Sequence, residues 1–189
     1  MKKVLIAILA LGAVCVSGAQ NYFARLDSKE VSLEDFMKNP NAVGAPAGKS
    51  WESGARPESL LCAAEGKKAE SSKVQKSWAP ELGKILDGKP SEVSAFQDGI
   101  SFGVVASGGK GDDGTVLVEW DLEYERLLDL NGPHGIPAMA FPITQKFSSK
   151  GTRAFKIGEK TVICRVFMEE IGDGQPRVKL FALTVGKAP

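Results

Sequence analysis

Histidine is almost absent from this chain of 189 residues, since His134 is the only one. A zinc site built from several histidines is therefore excluded. The one Gly-x-Ser-x-Gly match, Gly99 to Gly103 (GISFG), falls in a run that alternates like a strand and not in a strand-to-helix turn, and neither downstream cysteine lies in a recognisable nucleophile motif. The segment Gly44 to Ser50 (GAPAGKS) has three residues between its glycines, where a phosphate-binding loop needs four. The sequence therefore predicts no cofactor and no bound metal ion.

An excess of charge of one sign is also lacking, because 24 Lys and Arg residues are balanced by 23 Asp and Glu residues. A nearly neutral chain offers no electrostatic basis for binding nucleic acid or anionic lipid. An apolar run of about 20 residues, the length that spans a bilayer as a helix, is missing as well. We therefore expect a protein or an envelope component as the partner, no nucleic acid, and no transmembrane anchor after removal of the N-terminal segment.

That N-terminal segment has the pattern of a cleavable secretory signal peptide. Lys2 and Lys3 precede an apolar run from Val4 to Val16, and small residues follow up to Ala19. A short apolar run between a basic start and small residues is what signal peptidase accepts. We predict a signal peptide at residues 1–19, cleavage after Ala19, and export to the periplasm or the exterior as a single domain of residues 20–189.

Cleavage would remove Cys15 and leave two of the three cysteines, Cys62 and Cys164. An oxidising compartment would permit these two to form a disulfide. Two buried free thiols are the alternative, because unpaired cysteine is among the most buried residue types. The sequence leaves both possibilities open.

Helical patterns dominate residues 30–88. Ser32 and Asp35 form a capping-box pattern that predicts a short helix, which ends before Asn39-Pro40. A second helix is predicted from Pro57 to Gly66. Apolar residues at helical spacing predict a third helix over 74–86, kinked or divided at Pro80.

A period of two dominates residues 99–186. It predicts strands at 100–107, 115–124, 138–147, 153–157, 161–169 and 177–185. Residues 121–130 also fit a helical period, and we favour the strand. Gly172-Asp173-Gly174 predicts a hairpin turn between the last two strands. The expected fold class is α+β, with N-terminal helices packed on an antiparallel, hairpin-rich sheet of about five or six strands.

Three acidic residues alternate along the strand predicted at 115–124, namely Glu119, Asp121 and Glu123. Alternate residues of a strand point to the same face, about 6.6–6.8 Å apart. This separation is compatible with the carboxyl pair of an inverting glycosidase, roughly 6.5–9.5 Å. A solvated sheet face shows the same alternation of acidic residues. A single histidine such as His134 is also typical of an exposed loop.

Two stretches of the chain resemble the C-terminal domain of the secretins, the outer-membrane gate subunits of secretion and pilus machines. The first is 39–46 (NPNAVGAP) followed by 51–55 (WESGA). The second runs from Gly99 to Glu169. A strand, an Asp-Gly turn, a long alternating strand, a Pro-containing loop and a Thr-x-Val-type strand after a Gly-Glu turn follow the secretin order there, the last at Gly158-Glu159-Lys160-Thr161-Val162. Together these stretches cover about half of residues 20–189.

The chain also departs from the secretin pattern. Paired glycines usually follow the late strand, but Phe167-Met168-Glu169-Glu170 stands there instead. No Val-Pro…Ile-Pro lip segment is found, and residues 60–86 show helical patterns where the secretins have strands. The resemblance therefore implies a stand-alone, non-pore relative and identifies no binding residue.

The sequence favours an exported, non-catalytic module with a structural, envelope-assembly or ligand-binding role. This hypothesis rests on the absence of a nucleophile motif, a metal cluster and a cofactor loop. The alternative is a small secreted hydrolase that uses Glu119, Asp121 or Glu123 together with His134.

Overall fold

The computed structural model describes residues 20–38, 51, 54–80, 93–108, 114–131, 141–168 and 175–188. The signal peptide, the segment 44–50, His134 and the turn 172–174 lie outside these residues. Eight β-strands and one short α-helix are formed by the described part of the chain. They are β1 (Asn21–Ser32), α1 (Leu33–Lys38), β2 (Arg56–Ala64), β3 (Lys68–Pro80), β4 (Val93–Gly108), β5 (Thr115–Asn131), β6 (Phe141–Lys156), β7 (Lys160–Met168) and β8 (Arg177–Lys187).

The strands form two sheets of four. Sheet A has the order β2-β1-β8-β7, and sheet B has the order β3-β4-β5-β6. All neighbouring strands are antiparallel. A tight turn at Glu65-Gly66-Lys67 carries the chain from sheet A to sheet B, and Gly66 provides its positive φ of 69°.

The expected α+β class with N-terminal helices is wrong. The helix expected at 57–66 is replaced by β2 and the turn after it. Of the helix expected over 74–86, residues 74–80 belong to β3, and 81–86 lie outside the described residues. In β2 the buried residues alternate, since Ser59, Leu61 and Ala63 are buried while Leu60 and Cys62 are exposed. Leucine and alanine favour helix by propensity, but pairing with β1 and burial of one face outweigh that preference.

The first predicted helix is confirmed as α1. The backbone N–H of Asp35 donates to Ser32 Oγ at 3.0 Å, and that hydroxyl donates to Asp35 Oδ2 at 2.7 Å. The side chain of Ser32 thus satisfies a backbone donor of the first turn that has no partner within the helix.

Most of the strands predicted in the second half of the chain are confirmed. Residues 121–130 belong to β5 and are extended, which decides between the two periods in favour of the strand. The two strands predicted at 138–147 and 153–157 are one continuous strand, β6, within the described residues. The expected single sheet is divided into two, because β7 and β8 pair with β1 rather than with β6.

The main hydrophobic core lies between the two sheets. Its fully buried members come from both sheets and include Leu26 and Phe181 of sheet A and Phe102, Val118 and Leu122 of sheet B. Inward residues alternate with outward ones in β2, for example, as in other β-sandwiches.

A smaller apolar cluster covers the outer face of sheet A. Phe36 of α1 and Trp51 pack there against Val178, Leu180 and Ala182 of β8. Strand β8 is therefore buried on both faces, and its sequence reads as an almost continuous apolar run.

Charged side chains lie between the two sheets at one end of the sandwich. Lys179 of β8 is 12% exposed, and its Nζ lies 3.6 Å from Glu30 and 3.7 Å from Glu58. The same ammonium group lies 4.8 Å from the ring centre of Tyr124 in β5. Burial raises the pKa of Tyr124 to about 12.

Candidate functional site

The three candidate acids lie on the outer face of sheet B, on the side of β5 opposite its buried residues Val118 and Leu122. Glu119 and Glu123 are exposed, and Asp121 is half-buried. Lys150, directly opposite on β6, donates from Nζ to Asp121 Oδ2 at 2.8 Å. The structure therefore brings the three acids together in one row, next to a cation.

A shallow depression of about 450 Å³ lies beside this row. Gly103 of β4 has no side chain to fill it, and the ion pairs Lys68–Glu70 and Lys150–Asp121 flank it. The hydrogen bond to Glu70 raises the pKa of Lys68, and the hydrogen bond to Asp121 raises the pKa of Lys150. Ion pairs of this kind are typical of a solvated sheet face. The hydrolase alternative stays a prediction, because His134 lies outside the described residues.

Metal-ligating side chains are scattered over the described part of the chain. No three His, Cys, Asp or Glu residues come close enough there to hold a metal ion.

Both candidate cysteines are free thiols and lie on opposite edges of sheet A. Cys62 is exposed on β2, and Cys164 is half-buried on β7. Three strand spacings separate β2 from β7, about 14 Å at about 4.8 Å each, whereas a disulfide needs Cα atoms within about 7 Å. Burial raises the pKa of Cys164 to about 12, although a hydrogen bond with Ser149 acts in the opposite direction. The thiol of Cys62 is therefore the accessible one.

On both sides of the sandwich, each sheet ends in a strand that pairs with no further described strand. Among the described strands, β2 and β7 are the edges of sheet A, and β3 and β6 are the edges of sheet B. The edges β2 and β3 lie on one side, joined by their turn. On the other side, Gln145 Nε2 of β6 donates to the backbone oxygen of Phe167 in β7 at 2.9 Å.

Two of these edges carry exposed apolar side chains. Leu60 on β2 is 68% exposed, and Phe167 on β7 is 56% exposed. An exposed apolar side chain on an unpaired strand favours association with another chain. Sequence reasoning missed the edges at β2 and β3 because it assigned these strands to helices and did not identify β1. It predicted the strand β7 but placed it in a single sheet with β6. The alternation of Tyr22, Ala24 and Leu26 with Phe23 and Arg25 is the pattern that would have indicated β1.

Among the described residues, no helix has the length and apolar character to cross a bilayer.

Comparison with known proteins finds this fold in secretins. The secretin domain of InvG from the Salmonella SPI-1 injectisome matches with a TM-score of 0.50 and 9% identity, over 90% of this chain and 61% of that chain. The type II secretion system secretin XcpQ from Pseudomonas aeruginosa matches with a TM-score of 0.51 and 13% identity, over 90% of this chain and 59% of that chain. The chain thus spans about three fifths of the length of these two secretins.

The likeness concerns the fold, since the identities are low. No protein-family model matches the chain, and no curated protein sequence matches it either. The resemblance to secretins that two stretches of the sequence indicated is confirmed at the level of the fold. The sequence analysis found helical patterns at residues 60–86, where the secretins have strands. Up to residue 80 this difference from the secretins does not exist, because β2 and β3 are strands.

Proposed function

We propose that this chain is an exported, non-catalytic assembly module of the cell envelope that associates with further copies through its strand edges. The secretin-like fold supports an envelope or secretion role, and the signal-peptide pattern at residues 1–19 supports export to the periplasm or beyond.

The observation that carries the proposal is the direction of the edge strands. In each sheet four strands alternate in direction, so that the two edges of the sheet run in opposite directions. A second copy placed side by side can therefore set its β7 against β2 and its β6 against β3, and both junctions are antiparallel. Both sheets then continue across one interface, and the contact is head to tail.

The chemistry of the two outer faces is consistent with this arrangement. On the outer face of sheet B, Asp121 is neutralised by Lys150, and Glu119 and Glu123 are exposed to solvent. The exposed apolar residues Leu60 and Phe167 instead lie on the edges of sheet A. The interaction surface is thus at the edges, and the acidic row is a water-facing surface.

Charged substitutions at the edges test the proposal. Leu60→Lys and Phe167→Lys should each shift the full chain toward smaller species in sedimentation velocity, because lysine on an edge strand opposes pairing. Leu117→Lys is the matched control, since Leu117 is 44% exposed but lies on β5 in the middle of sheet B. Circular dichroism should show that all three variants remain folded.

A wild-type chain that sediments as a monomer at every concentration overturns the proposal. Equal assembly of the two edge variants and the wild type overturns it as well.

A further inference from the structure

Two cations and a hydroxyl form one row across the outer face of sheet A. Arg25 of β1 pairs with Thr184 of β8, and Thr184 pairs with Lys160 of β7. Neighbouring strands are about 4.8 Å apart, so the two cations flank the hydroxyl on either side.

A buried carboxylate holds the two cations of this row. Asp27 is fully buried, and its Oδ1 accepts from Arg25 Nε at 2.8 Å. Its Oδ2 lies 2.9 Å from Lys160 Nζ without the alignment of a hydrogen bond. Within the part of the chain that the structure describes, one carboxylate thus faces two cations, and these three side chains together carry a net charge of +1.

Two hydrogen-bond donors without a partner in the described part of the chain lie in or beside this row. Thr184 Oγ1 is buried and makes no hydrogen bond with any described residue. Trp51 is 5% exposed, and its Nε1–H finds no acceptor among the same residues. Lys160 Nζ lies 6.0 Å from the ring centre of Trp51. An indole N–H is a donor only, and leaving it buried and unpaired costs free energy.

We propose that Arg25, Thr184, Lys160 and Trp51 form a binding site for one carboxylate group. A carboxylate is an acceptor with a single negative charge, so it matches both the surplus charge and the unpaired donors. The ligand reaches the site along Arg25 and Lys160, whose side chains are 49% and 22% exposed. This site is on the outer face of sheet A and does not depend on the proposed assembly through the edges.

The carboxylate could be that of a small anion or that of an acidic side chain on another polypeptide. Two probes separate these sources: acetate, and N-acetyl-glutamate amide, which carries only the side-chain carboxylate. Each is titrated into the full chain at constant ionic strength while the indole N–H resonances are followed by NMR.

We expect the Trp51 indole resonance, assigned with Trp51→Phe, to move downfield and saturate. The Trp120 indole, which already donates to Ser149 Oγ at 3.4 Å, should stay in place and reports that the fold is intact. Movement with both probes assigns the site to carboxylates in general. Movement with the glutamate derivative alone assigns it to an acidic side chain of a polypeptide.

Variants identify the residues that bind. Thr184→Val keeps the shape of the side chain and should weaken the fitted affinity about tenfold, the effect of one lost hydrogen bond to a charged group. Lys160→Met should weaken it further, and Lys150→Met on sheet B is the matched control with unchanged affinity. If neither probe moves the Trp51 resonance in the wild-type chain, or if Thr184→Val binds as the wild type does, the carboxylate site is refuted.

Discussion

Replacing Phe181 with alanine should remove a ring that joins the two sheets. Phe181 is fully buried at the centre of β8 and stands edge to face with Tyr124 of β5, with ring centres 5.6 Å apart. Truncation of a buried phenylalanine to alanine costs about 3–5 kcal/mol through lost burial and the cavity left behind. An aromatic pair contributes about 0.5–1.5 kcal/mol beyond the buried area. We expect a loss of about 4 kcal/mol, a large share of the 5–15 kcal/mol typical of domains.

Urea denaturation of the full chain at one protein concentration measures this loss. The midpoint should fall while the slope stays constant, because the change affects stability and not the surface exposed on unfolding. Phe167→Ala is the matched control, since Phe167 is 56% exposed and contacts Phe36 at 5.8 Å between ring centres. It should lose no more than about 1.5 kcal/mol.

Equal losses for the two alanine variants would refute the reasoning. They would mean that Phe181 is no more buried than Phe167, and that β8 does not face a second sheet. A large loss for Phe181→Ala alone agrees with a core between two sheets.

Two further predictions follow from pKa values raised by burial. Iodoacetamide should alkylate Cys62 in the folded chain and spare Cys164, whose pKa is about 12; mass spectrometry showing equal modification of both would contradict this. Tyr124 should stay protonated above pH 10, since burial raises its pKa from 10.0 to about 12. The unfolded chain therefore loses this proton first, and the free energy of unfolding should decrease between about pH 10 and pH 12. A tyrosine absorbance titration complete at its ordinary pKa would contradict it.

Strand β5 in the second half of the chain could be predicted from its sequence because it buries one face and exposes the other. Val116, Val118 and Leu122 alternate with Glu119 and Asp121. This period of two indicates a strand whichever strands pair with it. The short helix α1 was predictable for a different reason. Its first turn is capped by Ser32, a contact that needs no information from the rest of the fold.

The first half could not be predicted in the same way. Leu60, Leu61 and Ala64 satisfy a helical spacing, and only the pairing of β2 with β1 shows that Leu60 points outward while Leu61 enters the core. Without β1, the sequence has no partner against which a strand at 56–64 could be recognised. Missing β1 thus explains the wrong helix at 57–66. The second wrong helix has a different origin, because β3 pairs with β4, and the apolar residues of β3 at helical spacing hid that strand.

The row of acidic residues on β5 could be predicted from the sequence, whereas the row of Arg25, Thr184 and Lys160 could not. Glu119, Asp121 and Glu123 lie on one strand, and their common face follows from spacing alone. Arg25, Lys160 and Thr184 come from three strands that meet only because β8 inserts between β1 and β7. That insertion follows from the composition of β8, which is apolar on both faces and therefore needs a central position in its sheet and a cover on each side. Sheet B supplies one cover, while α1 and Trp51 supply the other. The second cover is also what brings the buried ring of Trp51 to 6.0 Å from Lys160 Nζ.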